Sequence, residues 1–355
     1  MNTPVSICIP TYNGEHYIRE CLDSVLSQTF TEFEVLIIDD QSSDDTILIV
    51  SEYARCDQRI RVIQNESNLG LVGNWNRCVQ LARGEWIKFV FQDDVIFPDC
   101  LEKLFESTKL GVPIIFCRRS FIFDENMTEE PKKFYLELQS PEKFLPGNNM
   151  ITADQFCQSV VNNLWINFIG EPTSVLLHHS VFQKFGLFNP NLIQLCDFEY
   201  WTRVASNTGI AYVPECLAAF RVHQKATSQI NQTKNNFRHN LDPLVMLHMF
   251  AYHRHYEALR HAAINFKRST DFRRRFLRVA YAEANRMRSL PKEIPACEAN
   301  RIIQIWNDML LLLPELNLSY AEVIRQKIIS KKIQLRARFG LSGNVVNDWR
   351  YSSYF

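Results

Sequence analysis

GEWIKFVFQDD, residues 84–94, is an almost unbroken apolar run that opens on glycine and closes on two carboxylates. A strand covered by protein on both faces reads this way, without the alternation of a half-exposed strand. Working outward, three shorter runs of the same kind precede it: Val5–Ile9 before Pro10, Glu34–Ile38 before Asp39-Asp40, and Arg61–Gln64. Helical spacing fills the gaps. Tyr17, Cys21, Leu22, Val25 and Leu26 predict a helix that Asn13 is placed to cap, and Thr46–Tyr53 and Val72–Ala82 predict two more. Pro98 opens a further helix to about Lys109, and Ile114–Cys117 is a fifth strand. Four βα units with short connections predict an α/β domain built on a parallel sheet with helices on both faces. Ligands of such sheets bind at the carboxyl ends of the strands, where both Asp-Asp pairs fall.

The remainder is less regular. Residues 124–150, with Pro131, Pro141, Pro146 and Gly147, predict a loop. Helical character resumes near Thr152, breaks at Gly170-Glu171-Pro172, and returns near Asp197 with Phe198, Trp201, Val204 and Ala205. A strand pair is expected at Ile210–Val213 and Leu217–Val222, and beyond Asn231 everything is helical. The expected division is a catalytic-type domain over 1–230 and a basic helical region over 231–355.

Charge supports that division. The 355 residues carry 39 basic and 39 acidic side chains, but 21 basic and 10 acidic fall between Lys234 and Phe355. A neutral chain is thus an acidic body joined to a basic tail. With 46% hydrophobic and 22% charged residues the composition is globular. The start lacks a basic segment followed by an apolar one, so no signal peptide is expected. The longest aliphatic run, Met309–Leu313, is far below a membrane span of about 20 residues. Ten cysteines form no CxxC pair, which argues against zinc and for a reduced, cytoplasmic protein.

Asp93 and Asp94 end an apolar strand, so their charge must be solvated, paired or metal-bound. Mg²⁺ or Mn²⁺ takes one or two carboxylates plus substrate phosphate oxygens, and the alternative is a helix-start cap. A carboxylate of Asp39-Asp40 can accept hydrogen bonds from a base N–H or ribose hydroxyls, and equally Asp44 and Asp45 can simply begin a helix. Neither GxxxxGK[ST] nor GxGxxG occurs, so any phosphate must be held by metal and side chains. Asp197 alone reads as a helix N-cap, His223 as a structural histidine, and Phe198 and Trp201 as core. Glu171 fits an acceptor turn or an ordinary one, and Asn74 and Trp75 either line a pocket or pack their helix.

Taken in order, PTYNG at 10–14, VLIIDDQSSDDT at 35–46, the stretch 68–84 and GEWIKFVFQDD at 84–94 resemble family 2 glycosyltransferases of the GT-A fold. So do GEPTSVLL at 170–177, GLFNPNLIQLCDFEYWTRVA at 186–205 and AFRVHQKAT at 219–227, which extends the resemblance over about residues 3–228. It implies a GT-A nucleotide-diphospho-sugar transferase fold with a mostly parallel sheet, an inverting single displacement, and Mn²⁺ or Mg²⁺ as cofactor. It implies that Asp40 meets the nucleobase, with Pro10 and Tyr12 lining the same pocket. Asp93 then faces the ribose, Asp94 the metal, His223 the diphosphate or metal, and Asp197 is the base. Gln92 and Cys196 stand where many members carry an acidic residue. The implied partners are a nucleotide-diphospho-sugar, with UDP the preferred nucleotide, and a saccharide or lipid-linked acceptor in cell-surface polysaccharide or lipopolysaccharide synthesis.

The segments 271–288 and 322–340 are basic amphipathic helices, suited to packing on the body or to peripheral contact with the inner face of the membrane. No nucleic-acid motif accompanies them. The alternative from another class is a non-catalytic nucleotide-sugar-binding scaffold that recruits partners through these helices.

Overall fold

The computed structural model describes residues 3–125, 127–137, 140–145, 147, 149–226, 239–265, 271–290 and 294–338. Four strands form one side of the sheet: β1 (Val5–Thr11), β2 (Phe33–Asp39), β3 (Ile60–Gln64) and β4 (Trp86–Phe89). Every residue of β1, β2 and β4 is buried, as their unbroken apolar runs require of strands covered on both faces. Helices α1 (Ile18–Leu26), α2 (Thr46–Cys56) and α3 (Gly70–Leu81) make the crossovers. All pairings among these four strands are parallel, with Thr11 opposite Asp39 and Cys8 opposite Phe89. Pro10 lies past the point where β4 stops pairing with β1, so its missing N–H breaks no bond to β4.

Beyond β4 the sheet departs from the expected pattern. The order is β3-β2-β1-β4-β8-β6-β9-β5, with β7 also on β9. The added strands are β5 (Val95–Ile96), β6 (Ile114–Phe123), β7 (Met150–Ile151), β8 (Val175–His178) and β9 (Ile210–Val222). β8, from the GEPTSVLL segment, inserts antiparallel between β4 and β6, while β9 runs parallel to β6. β5 and β7 oppose β9. The sheet is therefore mixed but mostly parallel. The expected strand pair at 210–222 is one strand whose register slips against Cys117–Arg119.

Two local expectations are corrected. Asn13 does not cap α1: its φ is 49°, and its side-chain oxygen accepts from the Ser43 amide at 2.8 Å. Residues 129–137, expected in a loop, form α5 (Glu129–Glu137). Pro131 stands in its first turn, where a missing N–H costs nothing. The other helices of this part are α4 (Cys100–Glu106), α6 (Ala153–Asn162), α7 (Ser180–Phe185) and α8 (Cys196–Thr208).

Contacts divide the chain into two units, Met1–Gln229 with Arg254–Ser269, and Ile230–His253 with Thr270–Phe355. A single cut at 230 was expected; instead the 254–265 stretch belongs with the first unit. Its Tyr256 is fully buried and hydrogen-bonds the side chain of Glu199 on α8. The second unit is helical. The basic segment expected at 271–288 is the helix Phe272–Arg288, whose Phe272, Phe276 and Ala280 are buried at helical spacing. Phe272 and Phe276 meet Phe250 and Tyr252 of the helix Asp242–Tyr252 at ring distances of 5.3 and 5.7 Å. The segment expected at 322–340 lies in the helix Tyr320–Arg338, and its last two residues fall outside the described residues. Among the described residues no helix is long and apolar enough to cross a membrane. None of the ten cysteines is in a disulfide.

One close approach fixes β4 against β1. The amides of Arg83 and Gly84 both donate to Ser6 Oγ, at 3.1 and 2.7 Å, and that hydroxyl donates to Glu34 at 2.6 Å. A Cβ on Gly84 would lie 2.4 Å from the Ser6 backbone nitrogen. Gly84→Ala is expected to destabilise the protein by about 1–3 kcal/mol through displaced backbone, measured as a lower urea midpoint with unchanged slope.

Candidate active site

The carboxyl ends of β1, β2 and β4 meet along one edge, and the side chains there are already engaged with each other. Asp39 is wholly buried and accepts from the Ser42 amide at 3.0 Å and from Gln64 and Thr11 at 3.1 Å each. Asp40 is 3% exposed. Its two oxygens take the amides of Leu69 and Gly70 at 2.8 and 2.9 Å and the Asn65 side chain at 2.8 Å. A carboxylate bonded to the first amides of α3 is a helix N-terminal clamp, so Asp40 shapes this edge by holding the 68–70 loop. Asn74 and Trp75 pack. Asn74 bridges to the Ile38 carbonyl at 3.0 Å, and Trp75 stacks on Phe91 at 4.9 Å.

Pro10 is buried in β1, whereas Tyr12 beyond it is 51% exposed. The Tyr12 backbone is held at both polar atoms by one side chain. Gln92 Oε1 accepts its N–H at 2.9 Å, and Gln92 Nε2 donates to its carbonyl at 3.0 Å. An acidic residue at 92 would lose the second bond, since a carboxylate cannot donate. Gln92 thus fastens the end of β1 to the end of β4.

Asp93 and Asp94 face different surroundings. Asp94 is fully buried; its Oδ1 accepts the Arg221 amide at 2.9 Å and its Oδ2 accepts the Thr173 hydroxyl. Burial pushes its pKa well above the carboxylate range, and the neighbouring Asp93 charge pushes it further. Asp94 is therefore spent in tying β4 to β9 and to the turn before β8. Asp93 is only partly buried, and its Oδ2 lies 2.9 Å from His223 Nε2. That hydrogen bond to a carboxylate sets the proton on Nε2. The buried Nδ1 then has no partner among the described residues. The His223 ring packs on Tyr17 at 4.8 Å, and the Arg221 guanidinium lies over the other side of this cluster, 4.8 Å from the same Tyr17 ring. Arg221 Nε donates to the Asp93 carbonyl at 2.9 Å.

These residues test the expected metal. Among the described residues no group of three or more His, Cys, Asp or Glu side chains could hold an ion. One accessible carboxylate at Asp93, with an imidazole beside it, fits a hard divalent cation whose remaining positions are filled by phosphate oxygens and water. It does not fit a closed protein cage.

Asp197 lies in the first turn of α8, one residue inside its start, and not at the N-cap, which is Leu195. Its oxygens accept the Phe198 amide at 2.6 Å and the Asn167 side chain at 3.0 Å. Burial and the nearby Glu171 charge push its pKa up to about 7, against a smaller opposing pull from Arg119. Phe198 and Trp201 are buried as expected. The turn 170–174 joins the two halves of the site. Thr173 reaches Asp94, and the Gly170 carbonyl accepts the Trp201 indole N–H at 2.8 Å. The Glu171 charge is felt at both Asp94 and Asp197.

Four participants were not singled out from the sequence, Arg119, Asn167, Thr173 and Arg221, and Tyr17 was named only as a helix position. Only Arg119 left a signal, as an arginine following the apolar run IIFC, where a buried charge needs a partner.

Comparison with known proteins follows this geometry. The family described as Glycosyl transferase family 2 matches residues 6–163. An uncharacterized protein of Mycobacterium tuberculosis is 32% identical over 237 residues, covering 65% of this chain and 72% of its own. A putative teichuronic acid biosynthesis glycosyltransferase of Bacillus subtilis, TuaG, is 28% identical, covering 63% of this chain and 81% of its own. Two solved structures share the fold. S. aureus TarS 1–349 in complex with UDP-GlcNAc has a TM-score of 0.59 at 17% identity, over 95% of this chain and 92% of its own. The mannosyltransferase PcManGT of Pyrobaculum calidifontis, in complex with GDP-Man and Mn²⁺, has a TM-score of 0.53 at 15% identity, over 92% and 87%.

A carboxyl group with a pKa near 7 weakens the native state at higher pH. Between the unfolded value near 3.8 and about 7, the folded chain binds more protons than the unfolded chain, so stability falls as pH rises. Asp197→Asn is expected to match the parent below about pH 4 and to exceed it by up to about 4 kcal/mol at pH 8. Urea unfolding across that range measures the gap.

Proposed function

The chain belongs to glycosyl transferase family 2 and is a glycosyltransferase, and from that premise we propose an inverting transfer from a nucleotide-diphospho-sugar to a hydroxyl of a saccharide or lipid-linked acceptor. UDP is the proposed nucleotide, the one bound with GlcNAc in the TarS fold neighbour. Cell-surface polysaccharide synthesis is the proposed setting, as the teichuronic acid biosynthesis assigned to TuaG suggests. The observation that carries the reading is the division of labour between Asp93, accessible and beside His223, and Asp197, a carboxyl poised to titrate near neutral pH.

The nucleobase is proposed to lie against Tyr12 and the Pro10 edge, over the loop that Asp40 holds. The Asp93 carboxylate and His223 then face the diphosphate. A divalent cation held by Asp93 together with the donor phosphates would supply positive charge where the leaving diphosphate gains negative charge. Asp94 is not proposed as a ligand, since both of its oxygens are engaged inside the protein. Asp197 is proposed as the base that takes the proton from the acceptor hydroxyl as it attacks the anomeric carbon. A pKa near 7 suits proton transfer at neutral pH. Asn167 keeps one Asp197 oxygen oriented while the other rests on the Phe198 amide. Attack opposite the departing diphosphate inverts the anomeric centre.

Thermal unfolding with UDP, with and without Mn²⁺, separates these roles, because a ligand of the native state raises its stability by mass action. Asp93→Asn is expected to abolish the Mn²⁺-dependent gain while keeping the parental midpoint without ligand. Asp94→Ala is expected to lose about 1–3 kcal/mol of stability, since it strands a buried amide and hydroxyl. A full Mn²⁺-dependent gain in Asp93→Asn would remove Asp93 from the site. Asp197→Asn is expected to keep the gain and to lose transfer by about 10²–10⁴-fold.

A further inference from the structure

β6 carries two consecutive arginines at its middle, Arg118 and Arg119, which the strand turns to opposite sides. Arg118 pairs with Glu142 at the surface, 2.8 Å away. Arg119 points inward and is 1% exposed. A buried guanidinium is costly unless it is paired, and its partner is the Glu171 carboxylate, which its Nε contacts. Its guanidinium also lies 5.3 Å from the Phe121 ring centre. The turn that carries Glu171 is shaped around this arginine. Gly170 has a φ of +99°, and a Cβ there would sit 2.4 Å from Arg119 Cζ. Only glycine satisfies both constraints.

That turn is what orients Asp197. The Gly170 amide donates to Asn167 Oδ1 at 3.1 Å, and Asn167 Nδ2 returns a bond to the Gly170 carbonyl at 3.3 Å. The same Nδ2 donates to Asp197 at 3.0 Å. One helical turn beyond Asp197, the Trp201 indole closes the frame on the Gly170 carbonyl. Trp165, just before Asn167, has a φ of 82°, a costly conformation for a bulky residue, and such strain gathers where a site is held in shape.

We propose that Glu171, fixed by Arg119, is the positioning residue of Asp197: the buried pair locks the Gly170 turn whose bonds orient the Asp197 carboxylate, and it keeps a second carboxylate beside it. The proposal rests on Asp197 as the base. Two charged side chains face Asp197, Glu171 from the 170–174 turn and Arg119 from β6. Glu199, on its own helix, is turned toward Arg203 and Tyr256. Asn167, Trp201 and the Phe198 amide complete the surroundings and do not titrate. The two charges act oppositely, so the pair balances proton affinity as well as geometry. Neutralising Glu171 alone leaves Asp197 facing a bare cation.

The test is a carboxyl ¹³C NMR titration of the full-length protein labelled at aspartate, with the Asp197 signal assigned by its loss in Asp197→Asn. In Glu171→Gln the Asp197 midpoint is expected to fall by about one unit or more. In Glu171→Asp, which keeps the charge, it is expected to stay near that of the parent. An unchanged midpoint in a folded Glu171→Gln protein overturns the proposal. Should Glu171→Gln fail to fold, the double variant Arg119→Met with Glu171→Leu leaves no orphaned charge. It carries the expectation of a smaller fall, because the larger Glu171 effect is removed together with the opposing Arg119 effect, and an unchanged midpoint there overturns the proposal equally. The titration is read without turnover. Its failure is therefore distinct from failure of Asp197 as the base, which retained transfer in Asp197→Asn would show.

Discussion

The rest of the site hangs on the buried carboxylate of Asp94. It sits where β4 ends, accepts the backbone amide of Arg221 from β9, and accepts the hydroxyl of Thr173 from the turn that leads into β8. Three segments far apart in sequence are thereby brought to one point, in a buried region where an unmade hydrogen bond is expensive. Thr173 is fixed twice more, by the Phe91 amide at 3.2 Å onto its hydroxyl and by the Lys88 ammonium on its carbonyl. With Asp94 turned inward, Asp93 is left facing outward beside His223. Arg221 completes the arrangement by holding the Asp93 carbonyl while its guanidinium reaches Glu20 at 2.5 Å.

From that point the 170–174 turn carries the constraint to the other end of the site. Its last residues are bound to Asp94, and its first are bound to Asn167 and Trp201, which frame Asp197. Glu171, in between, raises the proton affinity of carboxyl groups on both sides. A fixed array of charges and dipoles of this kind needs no rearrangement when charge develops in a reaction. The proposed roles of Asp93 and Asp197 at opposite ends of one rigid turn follow from it.

Much of this was legible in the chain. The runs Val5–Ile9, Glu34–Ile38 and Trp86–Phe89 specify strands because they are mostly apolar, and their few polar side chains, Ser6, Glu34 and Lys88, are hydrogen-bonded within the protein; the ordered motifs pointed to the fold class. The insertion of β8 between β4 and β6 was not legible, because pairing partners are non-local and VLLH carries no mark of its neighbour. Nor was the difference in surroundings between Asp93 and Asp94. Two adjacent carboxylates at a strand end look alike until the chain's direction settles which one turns inward. Nor did the sequence show that Asp40, which the resemblance sets against the nucleobase, also bonds the loop that opens α3. The motif suggests Asp197 as the base proposed above, but its proton affinity depends on Arg119 and Glu171, which lie 78 and 26 residues away and meet only in the fold.

Asp93 is proposed to face the metal and diphosphate while Asp94 belongs to the scaffold. Crystals grown with UDP and Mn²⁺ test it most directly, through the anomalous scattering of manganese. The account predicts a single peak within coordination distance of an Asp93 oxygen, about 2.0–2.2 Å for a small divalent cation, with Asp94 still bonded to Arg221 and Thr173. A peak on Asp94, or a nucleotide-bound ion that Asp93 does not touch, would contradict it.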